Sequence, residues 1–120
     1  MIIADKSLWI LHFRRGVPNL SLALADGFIS MHPVVLGELA TRNLANREET
    51  IILLRRLPHT KVGTTEECLV CIEVHSLYGR GLGWNDVQLL VAARLSGDLL
   101  WSLDTRLVEA TVRLGVAYAP

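Results

Sequence analysis

The sequence predicts an α/β domain with a central, mainly parallel β-sheet and helices on both faces. Three observations carry this. Helical patterns alternate with short strand-length runs, as in chains built from strand–helix–strand units. Those short runs are continuously apolar, the mark of strands buried in a core. The 120 residues contain no repeat, low-complexity stretch or linker, so residues 1–120 form one domain.

The first strand spans residues 2–5 and ends at Asp5. Ser7 is placed to cap a helix running from Leu8 to about Arg15. Gly16-Val17-Pro18-Asn19 breaks that helix, and a short one follows over about 20–26. Gly27 ends it, and Phe28-Ile29-Ser30-Met31 reads as a second strand. Pro33 suits the first turn of a helix, which keeps an apolar face through about Leu44. A helix over 48–57 stops at Pro58. His59 to Val62 is a candidate third strand. Thr65, Glu66 and Glu67 open a helix reaching Leu77 or Tyr78, with acids suited to the helix dipole. Gly79 to Gly83 is a loop. Trp84 to Leu95 is helical and closed by Gly97 as a left-handed cap. Leu99 to Leu103 is a strand, Asp104 to Leu114 a helix closed by Gly115, and Val116-Ala117-Tyr118 a last strand.

Apolar residues make up 51% of the chain and charged residues 20%, which excludes disorder. No apolar run approaches the ~18 residues a bilayer demands. The start, Met1-Ile2-Ile3-Ala4-Asp5, has no basic segment and no cleavage site, so a cytoplasmic location is expected. Formal net charge is zero, so any nucleic-acid contact must come from local asymmetry: acids in one pocket, basic residues around it. Cys68-x-x-Cys71, with His75 at a helical offset, resembles half a zinc site. A structural zinc needs four ligands, and no second pair exists. Leu69 and Val70 also place the motif inside an apolar helix, away from the helix start that a redox pair uses. Both cysteines are therefore expected to be buried and structural.

Four carboxylates stand out. Asp5 ends the first strand and Asp104 follows the apolar strand 99–103, and ligands of open parallel sheets bind beyond the carboxyl ends of strands. Glu38 lies on a helix whose Val34, Val35 and Leu39 point to the core, next to Gly37, which leaves room. Asp86 sits in the first turn after the glycine loop. Each has a plainer explanation: Asp104 as a helix cap, Asp86 as a dipole partner, Glu38 on a solvated face. Asp5 has the fewest, because a lone buried carboxylate is costly. Gathered carboxylates raise one another's pKa unless a cation intervenes. Oxygen-only ligands select hard ions such as Mg²⁺ or Mn²⁺, which activate water and stabilise charge on a phosphodiester. The set therefore points to phosphoryl chemistry. No phosphate-binding loop with the Gly-Lys-Ser/Thr ending exists, nor a Gly-x-Ser-x-Gly nucleophile turn, and the four histidines are scattered.

Ile2-Ile3-Ala4-Asp5-Lys6-Ser7-Leu8-Trp9-Ile10 resembles the opening strand and helix of PIN-domain ribonucleases, above all the VapC-type toxins. His32 to Ala40, Gly81 to Leu90 and Leu100 to Leu107 resemble their second, third and fourth motifs, in order and over nearly the whole chain. The resemblance implies a PIN-like fold and an Mg²⁺- or Mn²⁺-dependent endoribonuclease, the toxin of a toxin–antitoxin pair. Asp5, Glu38, Asp86 and Asp104 match the family's acidic metal-binding quartet, and Ser7 and Ser102 its hydroxyl positions beside the metal. The products it implies carry a 5′-phosphate and a 3′-hydroxyl. Two residues depart from the pattern: Lys6, where a small hydroxyl residue is usual, and Asn85, where an apolar one is common. If strand geometry persists, Lys6 points away from its neighbours, toward phosphate or nothing. Arg14, Arg15, Arg42, Arg47 and Arg80 are candidate phosphate contacts. The resemblance also implies an RNA substrate, a cognate antitoxin that lays a peptide across the pocket, and a homodimer. Trp9, Phe13, Leu54 and Leu57 are candidates for an exposed apolar groove. The main alternative is a non-catalytic α/β module whose acids hold a regulatory Mg²⁺, as receiver domains do. Those carry adjacent early acids and a late lysine, whereas here residue 6 is lysine and none follows Lys61. A binding-only PIN domain is a third reading, against which the intact quartet stands.

Overall fold

A computed structural model describes residues 1–120. The sheet has three parallel strands, β1 (Ile2–Ala4), β2 (Ile29–Ser30) and β3 (Leu99–Trp101), in the order β2-β1-β3. β1 is central, with Ile3 registered against Ser30 on one side and Leu100 on the other. Successive strand residues face opposite sides of a sheet. Ile3 and Ala4 are nevertheless both buried, as are Leu100 and Trp101, so both faces of the sheet are covered.

The cover is helical: α1 (Lys6–Arg15), α2 (Pro18–Ala25), α3 (Pro33–Ala40), α4 (Arg47–Arg55), α5 (Thr65–Val74), α6 (Trp84–Ser96) and α7 (Thr105–Arg113). α6 is the most enclosed, burying Val87 and every residue from Leu89 to Ala93. Gly97 ends it at φ 67°, ψ 25°, the left-handed cap that only glycine adopts without cost. This is the α/β architecture expected of a PIN-like fold.

Several boundaries differ from the sequence expectation, each for a local reason. The strands over 59–62 and 116–118 shrink to single parallel bridges at the two sheet edges, Met31 with His59 and Leu100 with Ala117. After His59 and Thr60 the Lys61 N–H turns to the Ser96 hydroxyl at 2.9 Å, which leads the chain off the sheet. α1 begins at Lys6 because Asp5, rather than Ser7, is its N-cap. Pro18, read as a breaker, occupies the first turn of α2, where its missing N–H costs nothing. α3 stops at Ala40 instead of Leu44. The Arg47 guanidinium takes the carbonyls of Ala40 and Arg42, so side-chain bonds replace the next helical turn. α5 ends at Val74 because Ser76 sits at φ 51° and turns the chain. Its N-cap is Thr64, which exchanges hydrogen bonds with Glu67 in a complete capping box.

Candidate active site

Asp5, Glu38, Asp86 and Asp104 line one pocket of about 390 Å³, together with Lys6, Ser7, Trp84, Asn85 and Leu89. Three of these acids arrive at the starts of helices. Asp5 caps α1, accepting the N–H groups of Ser7 (2.9 Å) and Leu8 (3.4 Å). Asp104 caps α7, accepting those of Arg106 (2.9 Å) and Leu107 (3.4 Å). Asp86, in the first turn of α6, accepts the Gly83 N–H at 2.9 Å. Three helix N-termini thus converge on the pocket, and their partial positive charge favours anions there. Glu38 comes from the middle of α3. The cap and dipole roles read as alternatives to a functional role are present together with a shared pocket. Asp5, which had the weakest structural excuse, proves to have a firm one.

Asp5 is 5% exposed, and burial raises its carboxyl above the ordinary aspartate value, against opposing hydrogen bonds from Ser102, Ser7 and Leu8. The Ser102 hydroxyl donates to Oδ2 at 2.6 Å, and the Ser7 hydroxyl donates to Oδ1. Ser7 Oγ in turn accepts from Leu103 N–H at 3.0 Å, and Ser102 Oγ from Asp104 N–H at 2.9 Å. The two serines therefore lock the β1–α1 junction to the β3–α7 junction, with Asp5 as the shared acceptor. Ser7 lines the pocket, whereas Ser102 holds Asp5 from behind. Burial also raises Asp86, helped by the charges of Asp104 and Glu38 and opposed by Gly83 N–H and Lys6.

The strand geometry assumed for Lys6 does not persist, and its side chain has a partner in the pocket. Because the strand ends at Ala4 and the helix starts at residue 6, its ammonium turns back to Glu38, 3.1 Å from Oε2. Gly37 is not needed for room, since a Cβ there would meet nothing within 4 Å. The carboxylates share the pocket without closing into a three-ligand cluster.

None of the five arginines expected near the phosphates lines this pocket. Arg14 and Arg42 line a separate hollow with Ile10 and Phe13. Arg47 is spent on the end of α3, Arg80 donates to the Ser76 carbonyl at 2.7 Å, and Arg15 is exposed at the end of α1. One further arginine is close in sequence to an acid of the pocket. Arg106, two residues beyond Asp104, lies across Gly81 so closely that a Cβ there would sit 2.7 Å from its side chain. The flexible end of Arg106 can shift aside, but Gly81 also holds φ +77°, which favours glycine there.

Trp9, Phe13, Leu54 and Leu57 do line one apolar hollow of about 320 Å³, with His12, Leu24, Thr50 and Leu53. Trp9 and Leu54 form its buried floor, and Phe13 and Leu53 its exposed rim. Cys68 and Cys71 are buried free thiols, both raised by burial. His75 turns from them to Arg94, at 2.6 Å. His32 is buried and caps α3, its Nδ1 accepting the Val34 N–H at 2.9 Å.

No family model matches the chain. Among curated proteins it is similar to Ribonuclease VapC32 of Mycobacterium tuberculosis, in strains CDC 1551 / Oshkosh and ATCC 25618 / H37Rv. Each is 38% identical over 120 residues, covering 99% of this chain and 97% of the relative. Identity at that level along essentially the full length of both proteins establishes kinship rather than a shared motif, and the chain belongs to the VapC family of ribonucleases.

Proposed function

We propose that the pocket of Asp5, Glu38, Asp86 and Asp104 is the site where this chain hydrolyses RNA, using a bound Mg²⁺ or Mn²⁺. The chain is an endoribonuclease, the toxin of a toxin–antitoxin pair. The observation that carries the site assignment is the delivery of four carboxylates to one pocket from separate segments of the chain. The donors are all oxygen, the chemistry that hard divalent ions take. Asp86 is raised by burial and by two neighbouring carboxylates, a condition that a cation relieves.

Asp5, Asp86 and Asp104 would hold the ion, and Glu38 stands in the same pocket. When bound, the ion activates water and offsets the charge building on the phosphodiester. Ser7 and Ser102 fix the Asp5 carboxylate so that it need not be reoriented on binding. The N-termini of α1, α6 and α7 favour a phosphate group at the pocket mouth. Arg106, two residues beyond Asp104, is the candidate contact for a neighbouring phosphate of the strand.

The apolar hollow floored by Trp9 and Leu54 suits a peptide of the cognate antitoxin, since Phe13 and Leu53 are 41% and 57% exposed beside it. A homodimer is the proposed working unit and residues 1–120 its single domain. No helix is long and apolar enough to cross a membrane, and the cytoplasm is the proposed place of action. The test is cleavage of a structured RNA by purified protein in EDTA, then with Mg²⁺ or Mn²⁺ restored. Cleavage should need the ion, and Asp104→Asn, which keeps the α7 cap, should slow it by about a hundredfold at limiting metal. Undiminished cleavage in EDTA would sink the metal-dependent reading.

A further inference from the structure

Among the residues that line the acidic pocket, Lys6 alone carries a positive charge. Its place is fixed by the backbone. With Asp5 capping α1, residue 6 is the first helical position, and the ammonium reaches across to Glu38 on α3 at 3.1 Å. Glu38 has no other charged partner. The same ammonium shares its pocket with Asp86 of α6. It therefore stands among carboxylates from two further helices, a place a cation would take.

The charge count is simple. Four ionised carboxylates and one ammonium leave the pocket with three negative charges. One divalent ion leaves one, and a second would leave the pocket positive before any phosphate arrived. Without the ammonium, two divalent ions balance the four carboxylates. We infer that Lys6 stands in for a second metal ion, pairing with Glu38 and confining the pocket to one divalent ion on the Asp5, Asp86 and Asp104 side. The inference rests on the metal-dependent reading of the same pocket. It makes residue 6 the position that sets metal stoichiometry, and a non-basic side chain there opens Glu38 to an ion.

The experiment counts ions. Mn²⁺ is titrated into metal-free protein, and the free ion is read from its electron paramagnetic resonance signal, for the parent, Lys6→Met and Lys6→Arg. Lys6 is 53% exposed on its side chain, so each replacement is accommodated at the surface. The parent and Lys6→Arg should each bind one Mn²⁺. Lys6→Met should bind two, the second about tenfold or more tighter than any further site on the parent. Metal-free Lys6→Met should melt below the parent, having lost the only counter-ion of its carboxylates, and should gain more on adding Mn²⁺. Two ions on the parent would overturn the inference. So would a single ion on Lys6→Met at about ten times the Mn²⁺ that saturates the parent. In both cases the metal site itself survives. A parent that binds no Mn²⁺ would overturn the metal-dependent reading and this inference together.

Discussion

Replacing Asp5 by asparagine separates its two roles. The amide keeps a carbonyl oxygen for the Ser7 and Leu8 N–H groups, so the α1 cap survives. The change falls on the other oxygen, which now accepts the Ser102 hydroxyl proton at 2.6 Å. An amide there donates instead. Ser102 Oγ already accepts the Asp104 N–H at 2.9 Å, so its own proton loses its acceptor. That costs about 1 kcal/mol. Against it, burial disfavours the ionised Asp5 in the fold, and asparagine removes that penalty. With opposing effects of this size, metal-free Asp5→Asn should melt within about 5 °C of the parent. Catalysis has no such compensation. Removing a charged ligand from a bound ion costs on the order of 3 kcal/mol, the scale of breaking a buried ion pair. At limiting metal that is about a hundredfold in rate. The assay pairs cleavage rate against Mn²⁺ concentration with melting in EDTA. A variant that melts normally and cleaves like the parent would refute the role in metal binding. A variant whose activity falls only in step with a far larger loss of stability would make Asp5 structural alone.

Two further outcomes follow from buried groups elsewhere. Burial lowers the folded pKa of His32 from 6.5, so the unfolded chain takes up its proton first and stability should fall as pH drops below about 6.5. His32→Asn keeps an acceptor for the Val34 N–H and should flatten that part of a melting-temperature profile between about pH 7.5 and 5; parallel profiles would refute it. Cys68 and Cys71, buried and free, should resist a thiol reagent until denaturant is added, and the purified protein should carry no stoichiometric zinc. Zinc that is lost in Cys68→Ser would overturn this.

The parts of the fold legible in the sequence are those set by local pattern. The buried strands around Ile3 and Leu100, the continuous apolar helix after Trp84 and its Gly97 stop needed only apolar runs and one glycine. The misplaced boundaries depend on distant partners. The end of α3 is decided by Arg47, and the loss of the strand at Lys61 by Ser96, neither visible in a window of neighbouring residues. The same division holds at the pocket. Asp5, Asp86 and Asp104 stand out in the sequence because each follows an apolar strand or opens a helix, whereas Glu38 is marked only as an acid on a largely apolar helix. The partnership of Lys6 with Glu38, 32 positions apart, required the turn of the chain at Asp5. The five arginines expected near phosphate are marked in the sequence by charge alone, and charge does not say where a side chain lies. Arg106 was marked only by its spacing from Asp104 and by Gly81, which accommodates it.

The pocket's acids are unequal in what else depends on them. Glu38 makes one ion pair, half-buried itself and with an exposed partner, while Asp5 holds a helix end and receives the hydroxyls that join two strand ends. Where a lineage stops cutting RNA but is still kept for the partner it binds, selection to fold continues to guard Asp5 and ceases to guard Glu38. Substitutions then accumulate at Glu38 first. An intact Asp5 in a descendant is therefore a record of folding, and an intact Glu38 is the better witness that the enzyme is still in use.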